Sequence, residues 1–494
     1  MNLQRQLSLL PDALAGHLLV TAIPLAIGIA VSVPLGILLV RRRFLREAAL
    51  SAAGVVQTVP GLAFLALMVP ILVAVGGLLA PLGITVPALG PLPVGIALTA
   101  YAMLPILRNT IVGIAGVDPS LREAGLALGM TPGQVRRHVE IPLAMPVILA
   151  GIRTAAVWVV GLGTLATPVG ARSLGDFIFS GLQTRNPTAV LVGCLGAAAL
   201  ALVLDAGIAA FERRRYALGA GILAVLAAAA IGPRLGPRSS RPVVVVGGKP
   251  FTEQYVLTRL MESRLEAAGF AVDRRDSLGS TVLLDALLAG EVDVAVDYSG
   301  TLWANHLKRT ETAPPEVVRD AVCAGLQPAS CLGALGFENA YALAVKSDRW
   351  KTLWDLAADA PGLRMGADYE FLQRPEWAAV RAAYGLSFAA ELTFDPTFLY
   401  DAVATGQADV ITAYTTDGRV SAFGLTLLDD PLGALPPYDA VLLLSADCPP
   451  GVAEALRPLI GAIDAATMRE ANRRVDLGGE TPEAAAAWIA TRLP

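Results

Sequence analysis

Histidine is scarce in this chain. Three residues, His17, His138 and His306, are spread over 494 positions. They are too few and too scattered to build a histidine metal site, and they leave little for general-base catalysis. Lysine occurs four times (Lys249, Lys308, Lys346, Lys351), so arginine supplies nearly all the positive charge. Charged residues make up 16% of the chain, against about 25% in ordinary soluble domains. Net charge is −4 and there is no basic tail, which gives no support for nucleic acid as a partner. Neither HExxH nor GxSxG occurs. Gly247-Gly248-Lys249 lacks both the upstream glycine and the Ser/Thr after lysine that a phosphate-binding loop requires. No cofactor is implied, and no catalytic constellation is present.

Long apolar runs are plentiful. The chain is 54% hydrophobic with a mean hydropathy of +0.58. The excess is confined to residues 1–232, which read as a membrane domain, while 243–494 reads as a soluble α/β domain. A span needs about 20 apolar residues. Runs at 17–40, 48–80, 94–116, 143–168, 188–211 and 217–231 predict about six spans, the second tilted or broken and the last short. The last also resembles an internal signal peptide, with Arg213–Arg215 before it and Ala227–Ala230 near its end; an anchor is the preferred reading. Arginines at 41–46, in 122–137 and at 213–215 fall on alternate connections. By the positive-inside rule they face the cytoplasm, and everything after 231 lies outside. Arg234, Arg238 and Arg241 weaken that contrast. Residues 233–242 read as a linker. Arg153 and Asp205, inside spans near their cytoplasmic ends, read as a structural pair or as snorkelling side chains rather than as substrate residues.

The polar stretch between the third and fourth runs has its own pattern. Arg122–Leu128 is rich in helix formers. Gly129 suits a positive φ, and Pro132 suits a first helical turn after Thr131 as N-cap. Glu123-Ala124-Gly125, Gly129 and Ile141-Pro142 resemble the "EAA" loop of ABC-importer permeases. That resemblance implies two short helices with a glycine bend over 118–142. It also implies docking of cytoplasmic ABC ATPase subunits there, with ATP hydrolysed by that other chain.

In 243–494, strands at 243–246, 292–296, 340–345, 363–366, 410–413 and 441–444 alternate with helices, which argues for parallel α/β sheets. GGKPFTEQ (247–254), DYSGT (297–301), ENAYALAV (338–345) and the run 395–417 resemble substrate-binding proteins of glycine betaine/choline/carnitine ABC importers. Residues 428–439 fit as well. Fused ergothioneine importers are similar too. The fold class implied is an all-α membrane permease followed by a two-lobed α/β periplasmic-binding-protein domain, with the ligand between the lobes. A trimethylammonium group has no hydrogen to donate and is held by aromatic faces. Tyr298 and Tyr341 match cage tyrosines of the family. Tyr400 and Tyr414 both sit in matching motifs, and which of them faces the ligand stays open. Thr301, with backbone N–H groups after Ser299, is a candidate for the ligand's carboxylate; Gln254 and Thr252 can hydrogen-bond in the first loop. Arg374 is either a carboxylate partner or a surface residue. Gly248, Pro250 and 278–281 depart from the family pattern, which leaves the particular substrate open. Cys323 and Cys331 are close enough in sequence to bridge in an oxidising compartment. The partners expected are the lipid bilayer of a bacterial inner membrane, a second copy of the chain completing a homodimeric pore, and a small quaternary ammonium ligand. A membrane-anchored sensor and an enzyme on the same scaffold are the rival readings.

Overall fold

The computed structural model describes residues 3–84, 86–184, 186–232, 241–309, 311, 313–395 and 398–493. Most of the linker read at 233–242, with Arg234 and Arg238, lies outside the described residues, as do Pro396 and Thr397 of the 395–417 motif. Leaving residues 182–186 aside, the chain divides into two compact units, one built from helices before residue 232 and one from residue 241 onward.

The first unit consists of helices α1 (Leu3–Leu39), α2 (Arg43–Thr58), α3 (Gly61–Leu79), α4 (Pro91–Ala115), α5 (Pro119–Ala127), α6 (Pro132–Val135), α7 (Ile141–Gly163), α8 (Gly175–Gln183), α9 (Pro187–Glu212) and α10 (Tyr216–Ile231). With no water in the bilayer core to bond the backbone, a helix is the form such apolar runs can take. Among the described residues five helices are long and apolar enough to span, where the sequence predicts about six spans. The run at 48–80 does not form one helix. Val59, forced into extended geometry (φ −76°, ψ 130°) ahead of Pro60, separates α2 from α3. α2 buries no residue of its own. α10 has 16 residues, roughly 24 Å at 1.5 Å each, short of the ~30 Å hydrocarbon core.

α4 packs against both α1 and α7. Small residues permit the approach: a Cβ on Gly36 would meet Thr110 at 2.7 Å, and one on Gly151 would meet Asn109 at 2.6 Å. His17 is fully buried. Its Nε2 donates to the Val160 carbonyl (3.0 Å) and its Nδ1 accepts from the Leu174 amide (3.3 Å), so it ties α1 to α7 and to the segment after it. Arg153 holds Asp205 with two bonds of 2.8 and 2.9 Å and Glu212 with one of 2.9 Å.

The segment 118–142 is shaped by its own capping groups. Asp118 accepts from the Ser120 amide and Pro119 opens α5. Gly129 follows with φ +84°, a region that disfavours any residue with a Cβ. Thr131 and Gln134 form a capping box that starts α6, with Pro132 in the first turn. A five-residue π-turn, Arg136–Glu140, leads into α7. Glu140 is buried at its end and takes Arg41 at 3.0 Å and Arg122 at 2.9 Å. Glu123 and Ala124 face outward, while Gly125 is buried against Val135.

The second unit holds two five-stranded sheets. β1 (Val243–Gly247), β2 (Ala271–Arg275), β3 (Val294–Tyr298) and β4 (Ser330–Glu338) belong to the first. β5 (Tyr341–Val345), β6 (Arg364–Ala367), β7 (Ala390–Thr393), β8 (Val410–Tyr414) and β9 (Thr426–Leu427) form the second, and β10 (Asp439–Leu444) returns to the first. The orders are β2-β1-β3-β10-β4 and β7-β6-β8-β5-β9. The sheets are mixed rather than wholly parallel. β10 runs antiparallel to β3 and β4, and β5 antiparallel to β8. Both are strands that enter a sheet directly from the other lobe, so they arrive from the opposite end. The chain crosses between lobes at Asn339–Ala340 and again over 428–438, and the two crossings are bonded by the Asn339 amide donating to the Tyr438 carbonyl (3.0 Å). Cys323 and Cys331 form a disulfide, Cα atoms 5.4 Å apart, joining the helix Pro315–Gly325 to β4.

A C-terminal helix, Ala465–Asp476, packs on helix α11 (Thr252–Ala267) of the first lobe and on the short helix Gly418–Ala422 of the second. At that second contact a Cβ on Gly418 would lie 2.4 Å from the Arg473 amide nitrogen and 2.5 Å from its Cα. Backbone cannot yield as a side chain does. Gly418→Ala is therefore expected to destabilise this unit by about 1–3 kcal/mol, the usual cost of overpacking. Denaturant unfolding of the variant against the wild type checks it, and equal midpoints would contradict the close approach.

Candidate functional site

A cavity of about 300 Å³ lies between the two lobes of the second unit. Its aromatic wall comes from strand ends and the crossings beside them. Tyr298 ends β3, Tyr341 begins β5, Tyr414 ends β8, and Tyr438 precedes β10. All four line the cavity, with Phe251 beside them. Tyr341 and Tyr414 are register partners on adjacent antiparallel strands, which sets their rings 4.8 Å apart. Tyr438 meets Tyr341 edge-on at 5.6 Å, and Phe251 lies 6.1 Å from Tyr298. Burial pushes the phenols of Tyr298, Tyr414 and Tyr438 well above their ordinary pKa, so they stay neutral and present uncharged ring faces.

Charge in the cavity is largely paired. Arg374, from the loop before the helix Pro375–Tyr384, is buried. One Nη donates to Glu376 (2.9 Å) and to the Tyr438 hydroxyl (3.0 Å), the other to Glu370 (2.8 Å). Its guanidinium lies 5.2 Å from the Tyr341 ring centroid. Burial opposes its charge, but the neighbouring tyrosines and glutamates hold its pKa above the ordinary value. Its Nε has no protein partner. Lys249 is buried against Asp297 at 2.5 Å. Asp417 and Arg419 pair at 2.6 Å, and that guanidinium holds the Asp417 carboxyl below its usual range although burial works the other way.

At the base of the cavity Glu253, in the first turn of α11, is 2% exposed. Its Oε1 accepts from the Tyr298 hydroxyl (2.6 Å) and Asn339 Nδ2 (3.0 Å); its Oε2 accepts from Thr416 Oγ1 (2.5 Å) and Asn472 Nδ2 (3.2 Å). Burial raises this carboxyl's pKa above its ordinary value, and the four hydrogen bonds offset that rise only in part. Gln254 Nε2 donates to the Tyr298 oxygen (3.0 Å), which directs the phenol proton toward Glu253.

Of the residues singled out from sequence, Tyr298, Tyr341, Tyr414, Thr252 and Thr301 line the cavity. Thr252 is also spent on Asp476, to which it donates at 2.6 Å. Gln254 stands behind Tyr298, out of the wall. Ser299 is used structurally, donating to the Pro437 carbonyl and accepting from the Asp439 amide. Tyr400 is 1% exposed, in the core cluster of Leu399, Val403 and Ile411, with Arg419 over its ring at 4.1 Å; it is not part of the wall. Glu253, Lys249 and Tyr438 were not singled out as ligand residues, and Arg374 was left open. Tyr438 had the same signal as the other three, a tyrosine beside a strand end. Glu253 had a weaker one, an acidic residue in the first turn of a helix that is otherwise well buried. Asn339 and Thr416 had only their place in the motifs 338–345 and 395–417, and Asn472 had none. Among the described residues no group of three or more His, Cys, Asp or Glu is placed to hold a metal ion.

Residues 242–491 match the family described as the substrate binding domain of ABC-type glycine betaine transport systems. Residues 23–216 match the binding-protein-dependent transport system inner membrane component. The ergothioneine transport permease/ergothioneine binding protein EgtU of Helicobacter pylori (strain G27) is 28% identical over 469 residues, 88% of this chain and 82% of that protein. The carnitine transport permease protein OpuCB of Listeria monocytogenes is 43% identical over 198 residues, 40% of this chain and 84% of that protein. The glycine betaine/carnitine/choline transport system permease protein OpuCB of Bacillus subtilis (strain 168) is 40% identical over 198 residues, again 40% of this chain and 84% of that protein. The chain therefore belongs to the family of substrate-binding domains of ABC-type glycine betaine transport systems, here fused behind an inner-membrane permease component.

Proposed function

We propose that the chain is the permease and substrate-binding subunit of an ABC importer that takes up betaine-type quaternary ammonium compounds such as glycine betaine, choline or carnitine. The carrying observation is the wall of Tyr298, Tyr341, Tyr414 and Tyr438 in a cavity that also holds Arg374 with an unpartnered Nε. A trimethylammonium group offers no N–H, so neutral aromatic faces suit it better than hydrogen-bond acceptors. A carboxylate at the ligand's other end finds donors in Arg374, Lys249 and Thr301. The lobes close over the ligand about the two crossings at 339–340 and 428–438. On this reading residues 1–232 form the permease, 233–242 the linker and 243–494 the binding domain, held on the outer side of a bacterial inner membrane. The short α10 must then cross the bilayer by local thinning or by using its flanking residues. Two copies form the pore.

Cytoplasmic ATPase subunits dock at 118–142. Glu123, Ala124, Gly129 and Pro142 are exposed there, while Gly125 is buried and Ile141 half-buried. Leu121, Leu126 and Leu128 leave an apolar face uncovered on and just after α5, with Leu128 81% exposed. That face also argues against a sensor, which needs no such dock. Ergothioneine is a second candidate substrate, favoured by a fused relative that matches both halves of the chain. Calorimetry of the full chain against glycine betaine, choline, carnitine and ergothioneine separates these; failure to bind any of them would overturn the class.

Two outcomes follow from the geometry. Tyr341→Ala and Tyr414→Ala are each expected to weaken quaternary ammonium binding roughly five- to thirtyfold, one lost aromatic face at ~1–2 kcal/mol. Tyr341→Phe should stay near wild type, because its hydroxyl only accepts from Tyr414 (3.1 Å). Tyr400→Ala should lower thermal stability and leave affinity in the folded protein little changed. Ligand titrations with parallel melting curves check this, and unchanged affinity in both Ala variants of the wall would remove the cage. In the membrane unit, Glu123→Lys and Gly129→Pro should abolish ATP-driven uptake in vesicles while ligand titration of the same proteins is unaltered. Normal uptake by both variants would remove the docking assignment.

A further inference from the structure

Glu253 accepts one hydrogen bond from each of four separate parts of the fold. Tyr298 belongs to the first lobe, Asn339 to a crossing, Thr416 to the second lobe, and Asn472 to the helix Ala465–Asp476. Four donors on two oxygens suit a carboxylate that has no proton of its own to place. All four bonding positions are filled from the protein, so Glu253 has no ordinary acceptor site left for a ligand. Its influence on a ligand must pass through a neighbour.

Tyr298 is that neighbour. Gln254 donates to the phenol oxygen, and the phenol donates onward to Glu253 at 2.6 Å. A phenol that donates to an anion carries more negative charge on its oxygen and ring, and its face attracts a cation more strongly. The other charge near that ring is the Lys249 ammonium, 5.4 Å from the centroid, and it is neutralised by Asp297 at 2.5 Å. Glu253 is the anion bonded directly to the hydroxyl of that ring. Thr416 bonds the other oxygen at 2.5 Å. The second lobe thus completes the same carboxylate that conditions the ring.

Resting on the quaternary ammonium reading, we propose that Glu253 is a positioning residue for cation recognition. Through the Tyr298 hydroxyl it makes that ring a preferred face for a positive group, and the lobe carrying Thr416 completes the arrangement. The role is distinct from filling a buried position. A structural glutamate would affect all ligands alike, whereas this one separates a cation from a neutral group of the same shape.

The test compares ligand pairs that differ by one atom. Glycine betaine is paired with 3,3-dimethylbutanoate, and choline with 3,3-dimethylbutan-1-ol; in each second member carbon replaces the quaternary nitrogen. Affinities are measured by calorimetry on the detergent-purified full chain. In Glu253→Gln the preference for the trimethylammonium member is expected to fall by about tenfold, while affinity for the member with the uncharged tert-butyl group stays within about twofold. Tyr298→Phe keeps the ring and the carboxylate but cuts the link between them; its preference should fall about threefold. This second variant carries the test if Glu253→Gln does not fold. Equal losses for both members of a pair, or an unchanged preference in both variants, overturn the inference and leave the substrate class standing. A wild-type chain that binds neither cation, or binds cation and neutral isostere alike, overturns the substrate class and the inference with it.

Discussion

Burial of the Glu253 carboxylate is the constraint on which the second unit depends. Removing a carboxylate from water costs several kcal/mol unless its oxygens are fully bonded. Its four donors lie at positions 298, 339, 416 and 472, and no local stretch of chain contains two of them. The fold must bring them together. The first crossing has to place Asn339 beneath α11, the end of β8 has to deliver Thr416, and the helix Ala465–Asp476 has to lie against both lobes to offer Asn472. The close backbone approach of Gly418 to Arg473 belongs to the same requirement, since that helix cannot stand off from the second lobe and still reach Glu253. Tyr298 is both a donor in this network and part of the cavity wall, so the polar base and the aromatic wall are one construction.

The membrane unit obeys a different constraint. Its apolar runs must satisfy their backbone internally, and its helices pack through small residues and a few polar ties. His17, Arg153 with Asp205, and Glu140 with Arg41 and Arg122 are such ties. Glu140 is the one that reaches the segment 118–142. It links the end of the π-turn to α5 and to the turn after α1, so a push on α5 bears on the helices behind it through an ion pair as well as through the chain. Arg122 adds a bond of 2.6 Å to the Ile114 carbonyl at the end of α4.

Local chemistry was legible in the sequence where a few adjacent residues decide the outcome. The bend of the 118–142 segment was readable because Gly129, Thr131 and Pro132 each favour one backbone geometry and all three agree. The apolar runs announced the membrane unit because nothing but helix satisfies a backbone in lipid. Three of the four cavity tyrosines were readable because they sit at strand ends within recognisable motifs. The run at 48–80 is readable only as one tilted or broken helix, because hydropathy alone does not place a break; the structure breaks it at Val59, ahead of Pro60.

What only the tertiary structure decided were relations between distant residues. Tyr400 and Tyr414 are fourteen positions apart in one motif, and both are compatible with a cavity wall by residue type. β8 pairs with β5 in a register that sets Tyr414 against Tyr341, while the helix Leu399–Ala404 turns Tyr400 into the core. Arg374 could be solvated or buried from its sequence context; its burial depends on Tyr438, sixty-four residues on, arriving at the second crossing. Glu253 stands between Thr252 and Gln254, and nothing in its sequence context sets it apart as a site residue. A helix's first turn welcomes an acidic side chain on electrostatic grounds alone. Its place at the meeting of both lobes is a property of donors that the sequence keeps 45 to 219 positions away, and only packing brings them to it.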